Sequence, residues 1–324
     1  VVSGTGAVHK VFTPYYKKWA TINTPNSQVC PTPRFCPQPK GSSSLPQVVE
    51  LPDFPTGSAG AHERLVTFLN GIEEYEEARD FPSVQGTSLL SSDLHFGTIG
   101  PREILALVDQ ETDSSRAFIR QLAWRDWYAH LMNATPEIVN SPANPVYNKI
   151  EWRNNTEEFD LWIQGETGYP IVDAGMRELK KTGFMHNRVR MITGSFLVKH
   201  LLIDWRWGEQ YFRHTLLDGD TSQNVGNWQW VAGTGFDAAP YFRIFNPIRQ
   251  SEKFDKEGIY IRKWVPELAS LSSKQIHSPW EINEKSPELT SVRLGEDYPF
   301  PIVEHSFARA RCLETYKRAR SEAT

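Results

Sequence analysis

From about Ala59 onward the apolar residues recur at three- and four-residue spacing while strand signals are nearly absent, a periodicity that points to helices. Leu65, Phe68, Leu69 and Ile72 share one face. Ile104, Leu105 and Val108 follow a Pro101 start, and Phe118, Leu122 and Ala129 continue at the same spacing. The clearest helix opens at Pro170, whose missing N–H is not needed in a first turn. It carries Lys180 and Lys181 where cations meet the negative end of the dipole, and it stops at Gly183, which adopts the left-handed conformation freely. A further helix is expected from about His186 to Asp204, with shorter ones over 209–217, 247–254 and 306–321.

Residues 21–58 are rich in Pro, Ser, Thr and Gly and poor in aliphatics, so they read as a linker that cannot bury enough apolar surface to fold alone. The preceding Val1–Ala20 is too short for a domain. With 324 residues and 39% hydrophobic content the rest can bury an ordinary globular core. A net charge of -4 excludes nucleic-acid binding by bulk charge, so any such contact needs a local basic patch. Arg177, Lys180, Lys181 and Arg188, with Arg243, Arg249, Lys253 and Lys256, supply candidates on either side of a tryptophan-rich segment. Cys30, Cys36 and Cys312 are too few and too badly spaced for a disulfide framework or a zinc site, so no metal and a reducing compartment are expected. No apolar run approaches a spanning length, and no membrane role is expected.

Four constellations carry candidate chemistry. The run Leu216–Trp230 gathers Asp218, Asp220, several amides, Trp228 and Trp230 among enough breakers to read as a loop. Flat indoles beside amide edges suit a planar heteroaromatic ligand, and the alternative is a solvated loop anchored by two tryptophans. Gly86–Ser92 is a small-hydroxyl turn able to cradle a phosphate, or simply a turn. Asn187, Arg190, Met191 and Gly194 fall on one helical face, with Asp218 or Asp220 the natural counter-charge for Arg190. Gln121, Trp124, Arg125 and Tyr128 form a second polar stripe, equally readable as a solvated face.

Several segments together resemble the photolyase and cryptochrome flavoproteins: Tyr169-Pro-Ile-Val-Asp-Ala-Gly-Met-Arg177, Met185-His-Asn-Arg188, Arg190-Met-Ile-Thr193, Asp204-Trp205, Asp218-Gly-Asp220, Asn227-Trp-Gln-Trp230 and Ala239-Pro-Tyr-Phe-Arg-Ile-Phe-Asn-Pro247. The resemblance runs unbroken over about 60–285. It implies an all-α FAD-binding catalytic domain over 59–285, a remnant of an otherwise missing α/β antenna domain over 1–20, a linker over 21–58, and a C-terminal extension with a basic helix over 286–324. It also implies that Tyr75, Thr87, Ser88, Leu89, Leu90 and Ser91 meet the cofactor's phosphates. Arg125, Arg190, Asp218, Gly219, Asp220 and Asn224 then line the cofactor, with Asn224 facing the flavin N5 as in repair enzymes. Trp152, Trp205 and Trp228 match a chain that carries electrons to the flavin from the surface.

The function implied is light-driven electron transfer from reduced, anionic FAD to a pyrimidine dimer flipped out of UV-damaged DNA. Trp124 and Trp230 are expected to stack the lesion, with Gln121, Tyr128, Asn187 and Met191 beside it and Arg79, Arg188 and Arg243 toward the DNA backbone. Gln121 stands where bacterial dimer photolyases have Glu, Phe118 and Phe184 replace tryptophans, and Asn187 and Met191 replace the His pair of the six-four subfamily, which argues against that lesion. The wording Asp204-Trp-Arg-Trp-Gly208 and Phe118–Asp126 reads as eukaryotic, fungal-type. A nuclear location is expected from the DNA substrate alone, with the mitochondrion as second choice. A folate or deazaflavin antenna and a monomeric state complete the expectations. The alternative is a cryptochrome photoreceptor without repair.

Overall fold

The computed structural model of the protein describes residues 1–22, 54–282 and 292–322, with positions 37, 41 and 43. Most of the expected linker, Cys30, Cys36 and the expected boundary at 285/286 lie outside the described residues. Among them the fold is helical, with no β-structure beyond two isolated bridges, Val2–Val8 and Leu294–Tyr298.

The first helices are α1 (Phe12–Trp19), α2 (Gly57–Leu69), α3 (Tyr75–Ala78), α4 (Ser91–Phe96) and α5 (Pro101–Leu107), the last starting at proline as expected. Helix α6 (Asp113–Ala134) is fixed at its start by a reciprocal cap: Thr112 Oγ1 accepts from Ser115 N and Ser115 Oγ accepts from Thr112 N. Helix α1 does not stand apart from the helical body. Phe12 and Tyr15 are buried with Ala123, Trp127 and Leu131 of α6.

The core is built by α7 (Thr156–Gln164), α8 (Pro170–Thr182), α9 (Asn187–Ser195), α10 (Trp205–Thr215) and α11 (Thr221–Ala232). Helix α8 starts and stops where proline and glycine predict, Gly183 taking φ 69°. Its Gly175 lets α9 approach closely, since a Cβ there would lie 2.4 Å from Val189 Cγ1. The helix expected over 186–204 ends sooner. Helix α9 gives way at Phe196 to one π-helical turn through His200, and this puts the buried Lys199 ammonium on the Ala232 carbonyl, 2.7 Å, at the negative end of α11. The next helix begins earlier than expected because Asp204 caps it, accepting from Arg206 N at 3.0 Å.

The run Leu216–Trp230 is not a loop, and this expectation is corrected. Only 216–220 are irregular, and from Thr221 the chain is helical. Asp220 is the N-cap, its Oδ1 accepting from Ser222 N at 2.9 Å and Gln223 N at 3.1 Å, and Gly233 closes the helix at φ 78°. The small polar residues taken as breakers occupy the first turn, where they are tolerated, and Gly226 sits where a Cβ would strike the Tyr128 ring at 2.2 Å. The chain continues with α12 (Pro247–Phe254), α13 (Ile259–Trp264) and α14 (His305–Ser321). Helix α14 folds back onto the body, burying Cys312, Tyr316 and Ala319 against Ile150 and Leu202.

Candidate flavin and substrate cavity

Helices α6, α9 and α11 and the turn before α4 enclose a cavity of about 470 Å³, a volume ordinary for a cofactor site. Its most ordered polar feature is the pairing of Arg190 with Asp218: Nη1–Oδ1 3.0 Å and Nη2–Oδ2 2.8 Å, while Nε donates to Met185 O at 2.7 Å. Burial alone would raise the Asp218 carboxyl. The Arg190 charge and hydrogen bonds, with the Ser91 hydroxyl, more than reverse that and hold it below the usual range. Gly219 itself does not line the cavity. A Cβ there would lie 2.6 Å from the Arg213 carbonyl, so the glycine is what lets the aspartates on either side turn inward.

On α11, Asn224 Nδ2 donates to Glu209 O at 2.8 Å and to Glu209 Oε1 at 3.0 Å. Both partners are acceptors, so the amide nitrogen is committed and the Asn224 carbonyl oxygen is left for the cavity. Glu209 is 3% exposed; its burial raises the carboxyl pKa against the opposing charge of Arg213.

The small-hydroxyl turn contributes Thr87, Ser88 and Ser91 to the lining, next to Tyr75. Leu89 and Leu90 do not line it: Leu89 is exposed at φ 54°, and Leu90 is buried in the neighbouring apolar cluster. Arg125 lines the cavity with Nη2 tied to Leu94 O at 2.9 Å. Tyr128 is buried on the same wall, its phenol pushed well above the usual range by burial.

The lining also holds Gln121, Trp124, Asn187, Met191 and Trp230. Gln121 turns its Nε2 back to Ala117 O, 3.0 Å. The Trp124 indole lies flat on Phe12, centroids 3.6 Å apart and planes 10° from parallel, so one of its faces is already covered. Asn187 Nδ2 contacts Met191 Sδ at 3.8 Å.

The three arginines assigned to DNA lie off the cavity. Arg79 packs over the Tyr75 ring, Arg243 is exposed, and Arg188 is paired with Asp80 at 2.8 Å and stacked over Phe254. Of the three tryptophans, Trp228 lines the cavity and is 4% exposed, Trp205 is buried in the same core, and Trp152 packs partly buried against it.

Sequence reasoning missed His95, whose Nδ1 is 3.7 Å from Asp220 Oδ2, and Gln223, whose Nε2 donates to Arg125 O at 2.8 Å. Both line the cavity, as does Asn227. Gln223 and Asn227 stand one helical turn apart, a signal hidden while the segment was taken for a loop. His95 had none. Among the described residues, no group of three or more His, Cys, Asp or Glu is placed to hold a metal, and no helix is long and apolar enough to cross a membrane.

Hydroxyls, a guanidinium, a carboxylate–arginine pair and aromatic walls around one cavity suit a large aromatic cofactor carrying phosphates, and the comparisons agree. The FAD binding domain of DNA photolyase matches residues 118–318. The deoxyribodipyrimidine photo-lyase of Escherichia coli is 44% identical over 99% of this chain and 70% of its own length. That of Halobacterium salinarum is 40% identical over 99% and 70%. The crystal structure of a bacterial class III photolyase from Agrobacterium tumefaciens superposes with a TM-score of 0.89 at 40% identity, covering 99% of this chain and 70% of that one. These bacterial and archaeal relatives overturn the nuclear location, which rested on the DNA substrate alone; the same relatives do not single out a fungal type. With the cavity, the domain match and relatives at this identity in agreement, the chain belongs to the photolyase and cryptochrome family.

Proposed function

We infer that this chain is the flavin-holding catalytic region of a deoxyribodipyrimidine photo-lyase, which uses light to split cyclobutane pyrimidine dimers in DNA. The observation that carries this is one cavity with two kinds of wall. The Asp218–Arg190 pair, Arg125 and the hydroxyls of Thr87, Ser88 and Ser91 suit a dinucleotide; Trp124, Trp230, Asn187 and Met191 suit two linked pyrimidines with polar edges. Reduced FAD, when bound, supplies the light-excited electron that opens the cyclobutane ring and receives it back.

The chain's own residues bind and orient. In this reading Asn224, its nitrogen committed to Glu209, presents an acceptor to the flavin N5–H. Trp230 and the open face of Trp124 stack the flipped dimer, Asn187 and the Gln121 oxygen meet its edges, and Arg79 and Arg243 face the DNA backbone. Arg188, held by Asp80, acts by anchoring α9.

A cryptochrome would keep the flavin site and the tryptophans but split no dimer. The deciding measurement is restoration of dimer-containing oligonucleotide by protein confirmed to hold reduced flavin, under blue light and in the dark. Restoration in the light alone is the expected outcome. Absence of restoration in both would leave the photoreceptor reading.

A further inference from the structure

We propose that Gly208 is a positioning residue for Trp228, fixing the indole from which an electron enters the cavity; this rests on the photo-lyase reading, in which Trp228 feeds the flavin. Trp228 reaches the cavity edge-bound on several sides. Phe212 meets it edge-on at 5.0 Å and 72°, and Trp162 at 6.2 Å and 71°. Gly194 of α9 approaches one side with ordinary room, since a Cβ there would lie 3.5 Å from Cζ3. Gly208 of α10 is different in kind. A Cβ there would lie 2.2 Å from Trp228 Cη2, 2.6 Å from Cζ3 and 2.6 Å from Leu197 Cδ2.

No backbone requirement explains the glycine. It sits inside α10 without a positive φ, where glycine is a poor helix former and alanine the best. What it supplies is space: the far edge of the indole lies where a methyl group would be. Since Leu197 and Trp162 are fully buried and Phe212 is 3% exposed, the ring can yield mainly toward the cavity, changing its distance and tilt to whatever is bound there.

In the step concerned, one electron leaves the Trp228 indole for the light-excited oxidised flavin, and an external thiol replaces it through the remaining tryptophans. The test is Gly208→Ala, alone and combined with Trp228→Phe, whose smaller ring lacks the clashing edge. Gly208→Ala is expected to lower Tm by about 2–6 °C through overpacking. In the Trp228→Phe background the same methyl is expected to lower Tm by less, with or without flavin, because only its contact with Leu197 Cδ2 remains. Photoreduction of oxidised flavin in the presence of dithiothreitol, followed by its visible absorbance, is expected to slow several-fold in Gly208→Ala as the indole shifts from its place. Dimer repair by chemically reduced Gly208→Ala is expected to stay at the wild-type level.

Wild-type photoreduction in Gly208→Ala, or a Tm loss undiminished by Trp228→Phe, would overturn the proposal. Should Gly208→Ala not fold, the double variant decides: its folding supports the proposal and a failure to fold refutes it. Failure of the reduced wild-type protein to repair dimers would remove the photo-lyase reading alone, because the thermal cycle and the flavin absorbance need no DNA.

Discussion

The Arg190 guanidinium meets the Asp218 carboxylate in a two-bond fork, with the Asp218 side chain only 8% exposed and Arg190 24% exposed. Such a pair adds little net stability but is costly to halve, because the surviving charge stays buried. Arg190→Met is therefore expected to destabilise by about 3 kcal/mol at neutral pH, measured by urea unfolding. The pH dependence follows from the signs. In the wild type the depressed Asp218 carboxyl contributes stability above the ordinary carboxylate value and loses it as pH falls through the folded one. Without Arg190 only the Ser91 hydroxyl and a backbone hydrogen bond oppose burial, the carboxyl rises, and its penalty is relieved on acidification. The gap between variant and wild type should thus narrow from pH 8 to pH 5, and a gap that widens would contradict this account.

Asp220 has two separable jobs. As N-cap of α11 it needs only an acceptor oxygen, which asparagine also provides. As a charged group it faces His95 and Arg125 in the cavity. Asp220→Asn is expected to unfold within about 0.5 kcal/mol of the wild type, yet to lose flavin on gel filtration. Asp220→Ala should lose both flavin and about 1 kcal/mol of stability. Full flavin retention by Asp220→Asn would show that the cap is its whole role.

The helical class, the ends of α8 and the need of Arg190 for an acidic partner were legible in the sequence because each rests on local physics: periodicity, Pro and Gly geometry, and a charge on one helical face; the choice between Asp218 and Asp220 is made by a tertiary contact. The Leu216–Trp230 segment was misread because its small polar residues favour turns and N-terminal caps alike, and only the cap geometry of Asp220 decides between them. His95 was invisible because nothing in its neighbours marks it, and the cavity reaches it through a tertiary contact. The covering of Trp124 by Phe12, over a hundred residues distant in the chain, is likewise set by packing alone.

That covering separates the two stacking tryptophans. Trp230→Ala is expected to weaken binding of dimer-containing DNA by about 1–3 kcal/mol, the worth of one stacked base, while leaving flavin content and stability near wild type. Trp124→Ala should weaken binding similarly and also destabilise by about 3 kcal/mol, since it strips the stacked partner from Phe12 and the edge contact from Trp127. Titrations of labelled lesion DNA set beside urea unfolding distinguish the two; equal stability of both variants would mean that Phe12 does not depend on Trp124.

His186 ties the acid sensitivity of the fold to the cavity. Its Nδ1 accepts from Arg188 N at 3.1 Å, capping the helix that carries Asn187, Arg190 and Met191, so that nitrogen must be unprotonated. Burial, reinforced by Arg188 and Arg190 against the pull of Asp80, lowers its pKa to about 4. Below the ordinary histidine value of about 6.5 the unfolded chain binds a proton that the folded chain refuses, so stability falls as pH drops from there toward 4, with a slope of up to about 1.4 kcal/mol per pH unit. His200, lowered to about 3 by burial, acts in the same direction, and Asp173, raised to about 6, acts against it. His186→Asn isolates the first group, since asparagine keeps a capping oxygen and does not titrate. Urea unfolding at intervals between pH 7.5 and 4.5 should show the variant losing less stability on acidification than the wild type. Parallel curves for the two proteins would mean that His186 titrates alike in the folded and unfolded chain.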